Sequence, residues 1–119
     1  MSTNPISLRV IVVFHALGIL GQAILAGQFL SGSDSSVLMH ETTGWIVAAA
    51  CLIQIVLSVV IRKVPLWFIM SSVLIFLGEG LQVGTGYGRF LNVHIPLSII
   101  ITFAVMGQAA WAFGKQRSA

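Results

Sequence analysis

Two histidines, His40 and His94, carry the strongest chemical signal, because the same neighbours recur after both. Each is followed fourteen residues later by a glutamine, Gln54 and Gln108, and each stretch closes on basic residues, Arg62-Lys63 and Lys115-Gln116-Arg117. Imidazole nitrogens ligate iron well, and paired histidines on facing helices can hold a haem from both sides. Two further ionisable groups stand alone in apolar surroundings, His15 and Glu79. A charge-bearing residue in such a place is a candidate proton or cation site, or, for Glu79, the partner of a neighbour such as His15, Gln22 or a ligand histidine. Cys51 is the single cysteine, so it forms no internal disulfide and reads as a small packing residue.

The elements that would position these residues follow from composition. Of 119 residues, 57% are hydrophobic and 8% charged, against about 25% charged in an ordinary soluble domain. So few charges cannot cover a water-facing surface, whereas lipid is a solvent that suits them. No charged residue falls between Arg9 and Asp34, between Glu41 and Arg62, or between Arg89 and Lys115, and Lys63 to Arg89 holds only Glu79. Each interval accommodates a helix of about 20 residues, enough to cross the hydrocarbon. The pattern predicts helices near 8–30, 38–61, 65–86 and 92–114, in one membrane domain. The first stretch is too long for a signal-peptide core of about 7–15 residues and is expected to remain as a helix.

Arg9, Arg62, Lys63, Lys115 and Arg117 would then share one side of the membrane, with Arg89 on the other. That bias predicts a multi-pass protein of the cell membrane with both termini cytoplasmic. The net charge of +3 thus reports orientation, not a nucleic-acid partner. The chain has neither a nucleophile–base arrangement nor a phosphate loop.

Helices 1 and 3 also match, through Gly18-x-x-x-Gln22 and Gly78-x-x-x-Gln82. The expected fold is therefore all-α: an up-down-up-down four-helix bundle built from two parallel-repeat hairpins. Positions 40, 44, 47, 51, 54 and 58 form one face of helix 2, and 94, 98, 101, 105, 108 and 112 form that of helix 4. In lipid these faces must turn inward. Glutamines 22, 54, 82 and 108 read first as hydrogen-bonding glue between helices.

In such a bundle helices 2 and 4 are diagonal partners, with axes about 14 Å apart. Two imidazoles with an iron between them, at bonds of roughly 2 Å, would fill that gap. One haem b is expected, with Gly18, Gly21, Gly78 and Gly84 making room, Gln22 and Gln82 beside it, and Arg89 facing a propionate. Glu41, Thr42 and Asn92 are further neighbours. His15 has no repeat partner, since Ile75 takes its place, and is expected to hydrogen-bond Gln54 or Gln108; a second haem there is not expected. Gly84-Thr-Gly-Tyr-Gly-Arg-Phe90 should end helix 3 and turn the chain.

The segments LMHETTGWIVAAACLIQIVLSVV and FLNVHIPLSIIITFAVMGQAAW resemble one four-helix half of the heme A synthase family, and more distantly the cytochrome b561 kind of membrane bundle. The resemblance covers nearly the whole chain and implies that His40 and His94 are haem ligands. That family joins two such halves and sets a glutamate a turn before the first histidine. Here that position is Val37, and Glu41 follows the histidine instead.

The expected function is a small membrane b-type cytochrome, passing electrons or holding haem for a partner rather than turning over a substrate. Two alternatives stand beside it. One is a small dimeric proton-coupled transporter using Glu79, although small multidrug transporters carry their glutamate on helix 1. The other is an accessory subunit of a larger membrane complex. Expected partners are haem, the bilayer, and either further copies of the chain or a larger complex.

Overall fold

The computed structural model describes residues 3–116; Arg117, one of the expected cytoplasmic charges, lies outside them. Four helices account for most of the described chain: α1 (Ile6–Leu30), α2 (Ser35–Val60), α3 (Leu66–Tyr87) and α4 (Leu91–Phe113). At 1.5 Å per residue, the shortest, of 22 residues, is about 33 Å long, enough for a hydrocarbon core of about 30 Å. All four are long and apolar enough to cross a membrane.

Local chemistry sets the helix ends. Pro5 and Pro65 stand immediately before α1 and α3 with φ of −56° and −69°, the value their rings impose, and donate no N–H where a helix has no acceptor for one. Gly32 turns the chain between α1 and α2 at φ +102°, a conformation that costs a glycine nothing. Arg89 takes φ +56° in the turn between α3 and α4. α2 starts at Ser35, ahead of the expected 38, and α3 runs through Gly84 and Gly86 to Tyr87. Glycine costs about 1 kcal/mol in a helix interior, so packing has overridden its stop signal there.

α1 packs on α2 and α4, and α3 on α2 and α4, which leaves α1–α3 and α2–α4 as the two diagonals. The interior repeats as the sequence does. In α1 and α3 the buried positions correspond as Leu8 with Phe68, Val12 with Ser72, His15 with Ile75 and Ile19 with Glu79. In α2 and α4 they correspond as Val47 with Ile101, Cys51 with Val105, Gln54 with Gln108 and Ser58 with Ala112. Large apolar side chains such as Leu17, Leu74 and Phe103 point outward, where a water-soluble bundle would carry charge.

Two corresponding glycines allow the close approach. A Cβ on Gly18 would stand 2.7 Å from Val47 Cγ2, and one on Gly78 would stand 3.2 Å from Ile101 Cδ1. Val47 is β-branched and stiff, whereas the end of an isoleucine can swing. Gly18→Ala should therefore lower stability by about 1–3 kcal/mol, the range for overpacking, and Val47→Ala should rescue it. Gly78→Ala should be close to neutral, because the helix gains roughly what the contact loses. Unfolding of the four proteins in mixed micelles checks this, and equal losses at both glycines would refute it.

Candidate functional site

A cavity of about 360 Å3 opens at the end of the bundle that holds the α1–α2 and α3–α4 turns. All four helices line it, and its wall is largely apolar, with His40, His94, Gln22, Gln82, Glu41, Tyr87 and Glu79 as the main polar groups. His40 and His94 approach each other across the α2–α4 diagonal, with ring centroids 6.2 Å apart and planes at 67°.

Each ring is held by a backbone carbonyl, and His94 Nδ1 also lies 3.3 Å from Thr85 Oγ1. His40 Nδ1 donates to the Gln22 carbonyl at 3.1 Å, and His94 Nδ1 donates to the Gln82 carbonyl at 3.0 Å. A carbonyl can only accept, so each Nδ1 carries the hydrogen and each Nε2 keeps its lone pair. Neither Nε2 has a hydrogen-bond partner among the described residues. The support is backbone from the neighbouring helix, which is why the fourteen-residue spacing within α2 and α4 gave no sign of it. Gln22 returns a bond from Nε2 to the His40 carbonyl at 3.0 Å, whereas Gln82 Oε1 is buried without a partner.

Such a pair can bracket one metal ion. Two metal–nitrogen bonds of about 2 Å, with roughly 1 Å from each nitrogen to its ring centre, set centroids about 6 Å apart. The observed 6.2 Å meets that requirement. Donation of the second ring nitrogen to a carbonyl is also the usual support of a metal-binding histidine, because it fixes the tautomer and raises basicity.

The other residues singled out from the sequence have separate places. Gly44 lines the cavity beside Gln22, and a Cβ on Gly86 would stand 3.2 Å from His94 Cε1. Gly18 and Gly78 are not in the lining; they face Val47 and Ile101. Gly21 and Gly84 have open space where a Cβ would be. Arg89, Thr42 and Asn92 are exposed and outside the lining. Glu41 accepts a hydrogen bond from the Tyr87 hydroxyl at 2.5 Å, joining α2 to α3 at the rim. Tyr87 was not singled out beforehand, and its only sequence signal was a lone tyrosine among turn-forming glycines.

On the side of the cavity nearer the chain termini lies a buried polar layer. His15 Nε2 meets Glu79 Oε1 at 2.5 Å, spanning the α1–α3 diagonal, and Glu79 also lines the cavity. Gln54 Nε2 donates to Gln108 Oε1 at 2.8 Å, spanning the α2–α4 diagonal. His15 Nδ1 faces Gln54 Oε1 at 3.3 Å, and Ser72 Oγ accepts from both glutamines. Cys51 Sγ sits close by, its S–H directed at the Ser72 carbonyl at 3.5 Å. His15, Cys51 and Glu79 keep one ligating atom each within 4.8 Å of the others.

No protein-family model, curated protein or solved structure matches the chain. The functional reading therefore rests on the geometry of the cavity and of the layer beneath it.

Proposed function

We propose that this protein is a small b-type cytochrome of the membrane, an up-down-up-down bundle that holds one haem between His40 and His94. The observation that carries the reading is the pair of equivalent imidazoles, 6.2 Å between centroids, each with Nδ1 bound to a carbonyl and Nε2 free. The resemblance of both histidine segments to half of a heme A synthase points the same way. On α1 and α3 the cavity includes the small residues Ala23, Ala26, Val83 and Gly86, which would leave room for the group beside the two rings. With the termini and the 62–65 loop cytoplasmic, the site would face the outer leaflet.

Bound haem supplies reversible one-electron exchange. His40 and His94 would hold the group from both sides, which favours electron transfer over oxygen chemistry. The carbonyls of Gln22 and Gln82 hold both rings in one tautomer, and the largely apolar wall would limit the access of water. Glu41 and Tyr87 hold α2 and α3 together at the rim. Arg89, on the same side of the bundle, is the cation available to a propionate.

A dimeric proton-coupled transporter built on Glu79 gives the matched pair His40 and His94 no role, so that reading has less support. A role as an accessory subunit requires no cavity and explains neither histidine.

The test is the visible spectrum of detergent-purified protein before and after dithionite. A Soret band that shifts on reduction, with resolved α and β bands, is the expected outcome. A preparation that stays colourless after haem is added would overturn the proposal.

A further inference from the structure

The repeat departs most sharply from itself at the buried layer that carries ionisable groups. Positions 15 and 75 correspond, as do 19 and 79, so a faithful repeat would set like residues in each pair. Instead α1 carries His15 and Ile19 while α3 carries Ile75 and Glu79. The two isoleucines and the two ionisable groups are all buried, and the ionisable groups are bonded to each other across the bundle.

The hydrogen bonds fix how many protons this layer holds. Gln54 donates both observed bonds from Nε2, to Ser72 and Gln108, so its Oε1 is the acceptor and His15 Nδ1 carries a hydrogen. One further hydrogen lies between His15 Nε2 and Glu79 Oε1. Whichever atom it is nearer, the pair as a whole is neutral. One place for another proton remains: Glu79 Oε2 is buried and has no partner, on a residue that lines the cavity.

The surroundings leave few rivals. From α1 the ionisable group facing Glu79 is His15, and from α2 it is Cys51. α4 contributes Gln108, which does not ionise, and His94, which with His40 of α2 shares the cavity wall with Glu79 and would be held by the haem; Glu41 and Tyr87 are at the rim, bonded to each other. In a low-dielectric interior an added electron is not screened by water, and the nearest group able to take up a compensating proton responds to it.

Resting on the haem reading above, we propose that the His15–Glu79 pair is a redox-linked proton site. When the haem iron accepts one electron from an external one-electron donor, Glu79 Oε2 binds one proton from water. The pair becomes His15 imidazolium with Glu79 carboxylic acid, and the charge change of the bundle is cancelled. Reoxidation removes the electron and returns the proton to water.

The experiment is a redox titration of the haem band at a series of pH values, on the wild type and on two variants. Glu79→Gln keeps the shape and offers His15 Nε2 an amide N–H donor but no carboxylate. His15→Ile combined with Glu79→Ile copies the apolar residues that the repeat already accommodates at 75 and 19, so it guards against misfolding in the first variant. In the wild type the midpoint potential should fall as pH rises, approaching about 59 mV for each tenfold fall in proton concentration. In both variants, loaded with haem to the same Soret intensity, that dependence should vanish across the same range. Reduced-minus-oxidised infrared spectra should show a protonated-carboxyl band in the wild type that Glu79→Gln lacks.

An unchanged pH dependence in haem-loaded Glu79→Gln would overturn the proposal and leave the cytochrome reading intact. So would a pH-independent wild type, or one equivalent of a transition metal at His15, Cys51 and Glu79 in the purified protein. A colourless wild type would overturn both.

Discussion

Replacing either His40 or His94 is expected to abolish haem retention. For His40→Ala and His94→Ala the expected loss of affinity is at least about 100-fold, since outer partners of metal ligands alone are worth roughly 10–100-fold. Each variant would remove one of the two proposed metal ligands and leave a void where the ring was. Haem that survives purification should be five-coordinate, with a broadened Soret band and no sharp α band. The double variant should be colourless. The two single variants should behave alike, because both rings have the same carbonyl support at 3.1 and 3.0 Å. Free imidazole added to His94→Gly should restore part of the six-coordinate spectrum by filling the void. An unchanged low-spin spectrum in either single variant would show that the ligand lies elsewhere.

The second large effect falls on stability. Gln54 is fully buried and takes part in three side-chain hydrogen bonds, with His15, Ser72 and Gln108. Interhelical bonds of this kind in membrane bundles are worth about 0.6–2 kcal/mol each. Gln54→Leu removes all three and strands the His15 N–H in the interior, where an unmade bond costs about 1–3 kcal/mol. The expected loss is about 3–5 kcal/mol in a detergent unfolding titration. Val59→Leu, on the outward face of the same helix, should change stability by less than about 0.5 kcal/mol. A Gln54→Leu protein as stable as that control would mean the layer contributes no net stability.

The inward faces of α2 and α4 were legible in the sequence because the period of a helix writes them directly. Val47, Cys51, Gln54 and Ser58, with Ile101, Val105, Gln108 and Ala112, are buried at the expected spacing. His40 and His94 could be matched because one repeat carries both. The His15–Glu79 bond was legible only as one option among several. Its partners lie on diagonal helices, and periodicity records which face is buried but not what stands across the bundle. The carbonyl support of the histidines was hidden for a related reason: any residue offers a carbonyl, and only the register of two helices selects those of Gln22 and Gln82. Gly18 and Gly78 were read as room for a macrocycle, but the volume that each leaves free is taken by a side chain of the next helix, Val47 or Ile101.

The layer at His15 and Glu79 also bears on why a single chain carries both hairpins. Two identical hairpins meeting as separate molecules about a twofold axis must present the same residue at corresponding positions, so any dipole across that axis written on one is cancelled by its rotated copy in the other. Joining them through the short 61–65 connection lifts that constraint. One copy can then hold the base and the other the acid, and the bundle gains a polarity that no pair of equal subunits can encode.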